Sequence, residues 1–187
     1  MTRLLGAILA GGQSRRFGED KALALLAGRS LIDHAIDALA GQVEQVIVVG
    51  RPPDRAGVTT IPDRPSPGLG PLGGLNAALH HARAKGFDAV VSIGCDTPIL
   101  PRDLVALLRA AGRPSFLAAM PIAGYWPADL AGRLDDHLAS GVERSMRGWA
   151  RVVDATAIAL PTELPNINTP ADLADLEGRN SQSDVDL

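Results

Sequence analysis

The chain reads as an α/β protein built on a doubly wound, mostly parallel sheet. Two observations predict this. Short apolar runs alternate with longer helical patterns along most of the sequence. The strand-like runs are nearly all apolar, as expected of strands covered by helices on both faces. In order, strands are predicted over Leu5–Ala10, Gln45–Val49, Val58–Ile61, Ala89–Ile93 and Ser115–Ala119. Helices are predicted over Ser30–Leu39, Leu75–Ala84, Arg102–Ala111 and Pro127–Leu138. Beyond Ser140 the pattern is less regular, with strands expected near Val152 and Ile158. A last helix starts at Thr169-Pro170, Thr as N-cap and Pro in its first position. No repeat or linker divides the chain, so residues 1–177 are expected to form a single domain. Residues 178–187 lack an apolar period and read as a disordered tail.

Composition narrows the function. The sequence is 46% hydrophobic but only 3% aromatic, so Ala, Leu, Val and Ile must fill the core. Few aromatics also argue against a base-stacking platform for single-stranded nucleic acid. A net charge of −3 gives no global attraction to nucleic acid or anionic membrane, so any anion site must be local. One cysteine excludes an internal disulfide and a cysteine-cluster zinc site. No apolar run reaches transmembrane length and no cleavable signal pattern opens the chain, so a reducing cytoplasm is expected.

The chemistry concentrates at the start. The first predicted strand empties into Gly11-Gly12, followed by Arg15, Arg16, Gly18 and Lys21. Glycines let backbone N–H groups turn toward a bulky anion, and the cations supply charge where a triphosphate would lie. The segment is a nucleotide-phosphate loop without the Gly-x4-Gly-Lys-Ser/Thr string of a P-loop. A second glycine string, Gly68-Leu-Gly-Pro-Leu-Gly73, fits the dinucleotide fingerprint but follows Asp-Arg-Pro-Ser-Pro instead of a strand. It reads as a rigid turn leading into the helix from Leu75, with close backbone approach to a ligand left open.

Two acidic residues follow strands. Asp96 lies just past Ala89–Ile93, at the edge where open α/β sheets bind ligands. A carboxylate among phosphates is repulsive unless a metal lies between them, so Asp96 reads as a magnesium ligand. Asp63 ends the strand through Ile61 and reads equally well as a turn-capping residue. His34, His80, His81 and His137 fall on helical patterns without ligand spacing, and Cys95 reads as a small buried residue.

These segments together resemble the molybdenum cofactor guanylyltransferases, within the MobA-like nucleotidyltransferase superfamily. The matching strings are Leu9-Ala10-Gly11-Gly12, Ser14-Arg15-Arg16-Phe17-Gly18 and Asp20-Lys21. Asp63-Arg64 with Pro67–Gly73, Cys95–Pro98 with Leu100-Pro101, and Asn166–Pro170 with Asp172-Leu173 follow in the same order. The resemblance implies a three-layer Rossmann-like fold of the nucleotide-diphospho-sugar transferase type. It also implies transfer of GMP from GTP to molybdenum-molybdopterin, with pyrophosphate released. GTP contacts carry over to Leu9, Ala10, Gly11, Lys21, Asp63 and Asp96, with Asp96 also binding Mg2+. Catalytic weight would fall on Lys21, Asp96 and Arg15, with the Gly11–Gly12 amides, and Asn166 and Asn168 are candidates for the pterin side or for turn residues. GTP and molybdenum-molybdopterin are the implied small-molecule partners, with apo-molybdoenzymes and other molybdenum cofactor proteins as protein partners.

The chain also departs from that pattern. Phe17 replaces a Met, Val49-Gly50-Arg51 lacks the usual Asn, and Ser115–Ala128 is apolar where the family carries a polar, His-Pro-containing stretch. Related cytidylyltransferases open with Leu-Ala-Ala-Gly, and the glycine here leaves more room for a purine. The alternatives are a relative with another donor or acceptor (a cytidylyltransferase for the same cofactor, or a phosphosugar nucleotidyltransferase) and a non-catalytic cofactor carrier.

Overall fold

The computed structural model describes residues 2–11, 24–53, 55–161, 164, 167, 171–173 and 175. Its centre is a seven-stranded sheet. The strands are β1 (Leu4–Leu9), β4 (Gln45–Val49), β5 (Thr59–Ile61), β6 (Ala89–Gly94), β7 (Ser115–Leu117), β8 (Gly124–Pro127) and β9 (Thr156–Ile158). Across the sheet the order is β5-β4-β1-β6-β8-β7-β9. Every pair is parallel except those made by β8, which runs antiparallel to both β6 and β7. A small antiparallel hairpin, β2 (Leu25–Leu26) and β3 (Arg29–Ser30), stands apart from it.

Alternation along the strands builds two cores. Leu5, Ala7 and Leu9 of β1 point to one face, where α2 (Pro71–Lys85), α4 (Ala131–Ser140) and α5 (Met146–Val152) pack through Leu75, Leu79, Leu134 and Trp149. Leu4 and Ile8 point to the other, against α1 (Leu31–Ala40) and α3 (Leu104–Arg109) through Ile32, Ile36, Leu39 and Leu108. Gly6 gives way to this layer, since a Cβ there would stand 2.7 Å from Leu39 Cδ2. The result is the predicted three-layer α/β/α arrangement. No helix among the described residues is long and apolar enough to cross a membrane.

Several elements differ from the sequence reading. Val152 ends helix α5 and is not in a strand: Ser145 Oγ caps Gly148 N–H at 3.0 Å, and Met146, Trp149, Ala150 and Val153 bury at helical spacing. Helix α2 begins at Pro71, inside the glycine string, because Pro suits a first helical turn and Gly70 precedes it at φ 65°. The predicted helix over Pro127–Leu138 divides into the end of β8, a short 3-10 turn at Ala128–Leu130, and α4. Residues 171–173 are helical, while Thr169 and Pro170 lie outside the described residues.

The apolar stretch Ser115–Ala128 now has a physical reason. It forms strands β7 and β8 and the turn between them, inside the sheet, with Leu117, Ala123 and Trp126 buried. Ser92 Oγ on β6 donates to Ile122 O at 2.6 Å and accepts from Trp126 Nε1 at 2.9 Å, so the buried polar atoms of this seam are paired.

Candidate active site

Strand order reverses beside β1. The chain leaves β1 for β4 and β5 on one side, then enters β6 on the other. The carboxyl ends of β1 and β6 therefore border the crevice where open α/β sheets bind ligands. Leu9, the last residue of β1, stands in register with Val49 and with Gly94. Ala10 N–H donates to Val49 O at 2.9 Å, holding the chain to β4 one residue past the strand. Gly11 then emerges exposed at the rim.

Glycines make the crowding at this rim possible. Gly50, just past β4, has φ 99°, and a Cβ on it would stand 2.9 Å from both N and Cα of Gly11. A Cβ on Gly11 would in turn stand 3.1 and 3.2 Å from the two carboxylate oxygens of Asp63. Asp63, two residues past β5, also lies against the first turn of α2. There a Cβ on Gly74 would be 3.6 Å from Asp63 Oδ1, and one on Gly73 would be 3.5 Å from Asp63 Cβ. Gly73, which closes the fingerprint-like string, is pressed first by Leu69, whose Cβ would stand 3.2 Å from a Cβ added there.

Asp63 is half-buried in this cradle, and its Oδ1 is buried with no hydrogen-bond partner among the described residues. Burial pushes its carboxyl above the usual carboxylate range. A buried, unpaired carboxylate oxygen is costly unless a ligand compensates it, which favours the ligand-binding reading of Asp63 over a turn cap.

Asp96 approaches from the other flank. Its side chain folds back over the end of β6, where a Cβ on Gly94 would collide with Asp96 Oδ1. The main chain is fixed as well, because Asp96 O accepts from Ile167 N–H at 3.2 Å. The neighbouring Thr97 hydroxyl turns to Met120 Sδ at 3.0 Å, so the β7–β8 turn borders the same rim. Leu9, Ala10, Gly11, Asp63 and Asp96 are therefore gathered on one edge. Gly12, Arg15, Lys21, Asn166 and Asn168 lie outside the described residues, although Ile167, between the two asparagines, is buried and bonded to Asp96.

Gly74 and Gly94 carry no motif signal of their role here, and Gly50 stands out in the sequence only as part of Val49-Gly50-Arg51. Gly50 and Gly94 each close an apolar strand run, which was the signal available. The histidines do not join this site among the described residues. His34 Nε2 lies 2.8 Å from Leu26 O and His80 Nε2 lies 2.8 Å from Asp135 Oδ2, while His81 and His137 bury an Nε2 without a partner among the described residues. Cys95 is half-buried beside Asp96.

Comparison with known proteins gives the family and the fold. The MobA-like NTP transferase domain family matches residues 6–154. A protein of Rhodobacter capsulatus named molybdenum cofactor guanylyltransferase is 40% identical over 97% of this chain and 98% of its own length. One of the same name from Acidiphilium cryptum is 38% identical, over 92% and 93%. Among solved structures, molybdopterin-guanine dinucleotide biosynthesis protein A from Archaeoglobus fulgidus superposes with a TM-score of 0.78 at 24% identity, covering 95% of this chain and 99% of that one. The fold is shared more widely: 2-C-methyl-D-erythritol 4-phosphate cytidylyltransferase from Thermus thermophilus gives a TM-score of 0.71 at 16% identity, over 94% and 98%. With the family match spanning most of the chain and the curated relatives aligned nearly end to end, this chain belongs to the MobA-like NTP transferases.

Proposed function

We propose that this chain is a molybdenum cofactor guanylyltransferase, moving GMP from GTP to the terminal phosphate of molybdenum-molybdopterin. The observation that carries the reading is a glycine-built rim at the strand-order reversal with a carboxylate on either flank, Asp63 and Asp96, in a chain whose near-full-length relatives bear that name. An acceptor phosphate oxygen attacks the α-phosphorus of GTP. One P–O bond forms, the bond from the α-phosphorus to the bridging oxygen breaks, and pyrophosphate leaves with that oxygen. The nucleophile is already anionic at neutral pH, so no strong general base is required, in keeping with the placement of the histidines. The chain's task is to hold two polyanions in line and stabilise the leaving charge.

The residues fit a magnesium ion. No group of three or more His, Cys, Asp and Glu able to hold a metal occurs among the described residues. Mg2+ is ordinarily held by one or two carboxylates plus substrate phosphates and water, and Asp96 with Asp63 across the rim supplies that donor chemistry. Asp96 would hold the ion, which when bound neutralises charge on the phosphates. Leu9, Ala10 and Gly11 receive the nucleotide along the end of β1. Lys21 and Arg15 act on the triphosphate together with the Gly11–Gly12 amides. Asn166 and Asn168 serve the pterin side. The protein works in the reducing cytoplasm and passes its product to apo-molybdoenzymes.

The test is incubation with magnesium, molybdenum-loaded molybdopterin and each nucleoside triphosphate in turn, reading pyrophosphate and dinucleotide product. Formation with GTP and not with CTP, UTP or ATP is expected. Turnover only with CTP would move the chain to the cytidylyltransferases. GTP binding without pyrophosphate release would make it a carrier.

A further inference from the structure

Behind the rim, a second set of polar groups converges on one carboxylate. Asp135, on α4, accepts from Asn76 Nδ2 at 2.8 Å through Oδ1 and faces His80 Nε2 at 2.8 Å through Oδ2. Both partners belong to α2, and Asn76 is fully buried. Arg64 Nε lies 3.7 Å from the same Oδ1. Burial pushes the Asp135 carboxyl up, but the hydrogen bonds from Asn76 and His80, with the charges of His80 and Arg64, outweigh it and hold it below its ordinary range. The carboxylate is thus ionised at neutral pH and fixed in direction by α2 before Arg64 reaches it.

Arg64 is the residue next to Asp63. Its backbone N–H donates to Gly73 O at 3.1 Å, and its guanidinium runs to Asp135, so both ends of the residue are tied to the helical layer. Half-exposed ion pairs contribute little to global stability. Here the pair instead ties down the neighbour of Asp63, whose Oδ1 is buried against the rim glycines without a hydrogen-bond partner among the described residues.

We propose that Asp135 is a positioning residue for the nucleotide site, acting through Arg64 to fix the loop that presents Asp63. This rests on the reading of Asp63 as a nucleotide-site residue. The experiment is calorimetric titration of magnesium–GTP into the full chain and into Arg64→Ala, Asp135→Asn, their double variant and Arg64→Lys, with thermal unfolding of each nucleotide-free protein. Asp135→Asn keeps an amide oxygen for Asn76 and removes the charge that holds Arg64. The expected result is a Kd raised about tenfold in either single variant, no further loss in the double variant, and recovery in Arg64→Lys. Unchanged affinity in the single variants, additive losses, or lowered thermal stability with unchanged affinity would overturn the positioning role and leave the guanylyltransferase reading standing. A wild-type chain that binds no GTP would overturn both.

Discussion

Asp63→Asn should make the nucleotide-free protein more stable while impairing its use of nucleotide. The structure buries Asp63 Oδ1 against Gly11 and Gly74 without a hydrogen-bond partner among the described residues. Burial raises the carboxyl above its unfolded value, so the folded state binds this proton more readily than the unfolded chain does. The contribution of Asp63 to stability is therefore most favourable below the unfolded pKa and is lost as pH rises through the folded one. At neutral pH the fold carries the cost of an ionised, poorly solvated group. An unsatisfied buried polar group costs about 1–3 kcal/mol, and because the amide still leaves a polar atom there, the gain should lie near the lower end, about 1 kcal/mol. For a chain of this size that raises Tm by about 2–4 °C. The assay is thermal unfolding without nucleotide or divalent ion, at neutral pH and again near about pH 4, where the difference should shrink as the wild-type carboxyl protonates. Adding magnesium and GTP should stabilise the wild type more than the variant. A lower Tm for Asp63→Asn at neutral pH without ligand would refute the reasoning, because the carboxylate would then be supporting the fold.

The remaining predictions concern the other flank and the loop. Asp96→Asn should lose turnover by about two to three orders of magnitude with an unchanged unfolding transition, as expected for a lost transition-state contact of roughly 3–4 kcal/mol. Gly94→Ala should fall in the same direction, because its methyl group takes the space of Asp96 Oδ1, and pyrophosphate release under single-turnover conditions reads both variants. Lys21→Ala should lose most turnover while remaining folded by circular dichroism; wild-type activity would remove Lys21 from the mechanism. Gly50→Ala should cost about 1–3 kcal/mol in urea unfolding and weaken GTP binding, since it forces a side chain at φ 99° against the backbone of Gly11.

Much of this protein was legible in the order of its residues. The run Leu5–Ala10 reads as a buried strand, being short, apolar and closed by two glycines, and the strand observed is Leu4–Leu9. The positions of Asp63 and Asp96 directly after strands placed both at the carboxyl edge of a parallel sheet, since every parallel strand ends on the same side. The α5 helix was also present in the sequence, as Ser145 followed by apolar residues at 146, 149, 150 and 153, but the adjacent Val152-Val153 carried a competing β-propensity.

Other features required the chain to be folded. That β8 runs antiparallel between β6 and β7 depends on which edges remain free once β1, β4 and β5 have paired, and a four-residue segment carries no record of that. Closeness between Gly50 and Gly11, between Asp63 and the first turn of α2, and among Arg64, Asp135 and His80 joins residues distant in sequence. Local periodicity specifies which face a residue presents; only packing decides what meets it there. The sequence by itself determined the strand–helix alternation and the edge on which the acidic residues stand. Tertiary structure alone decided that Asp63 would lie among glycines with Oδ1 buried and without a hydrogen-bond partner among the described residues, because desolvation is a property of the surroundings that the fold assembles.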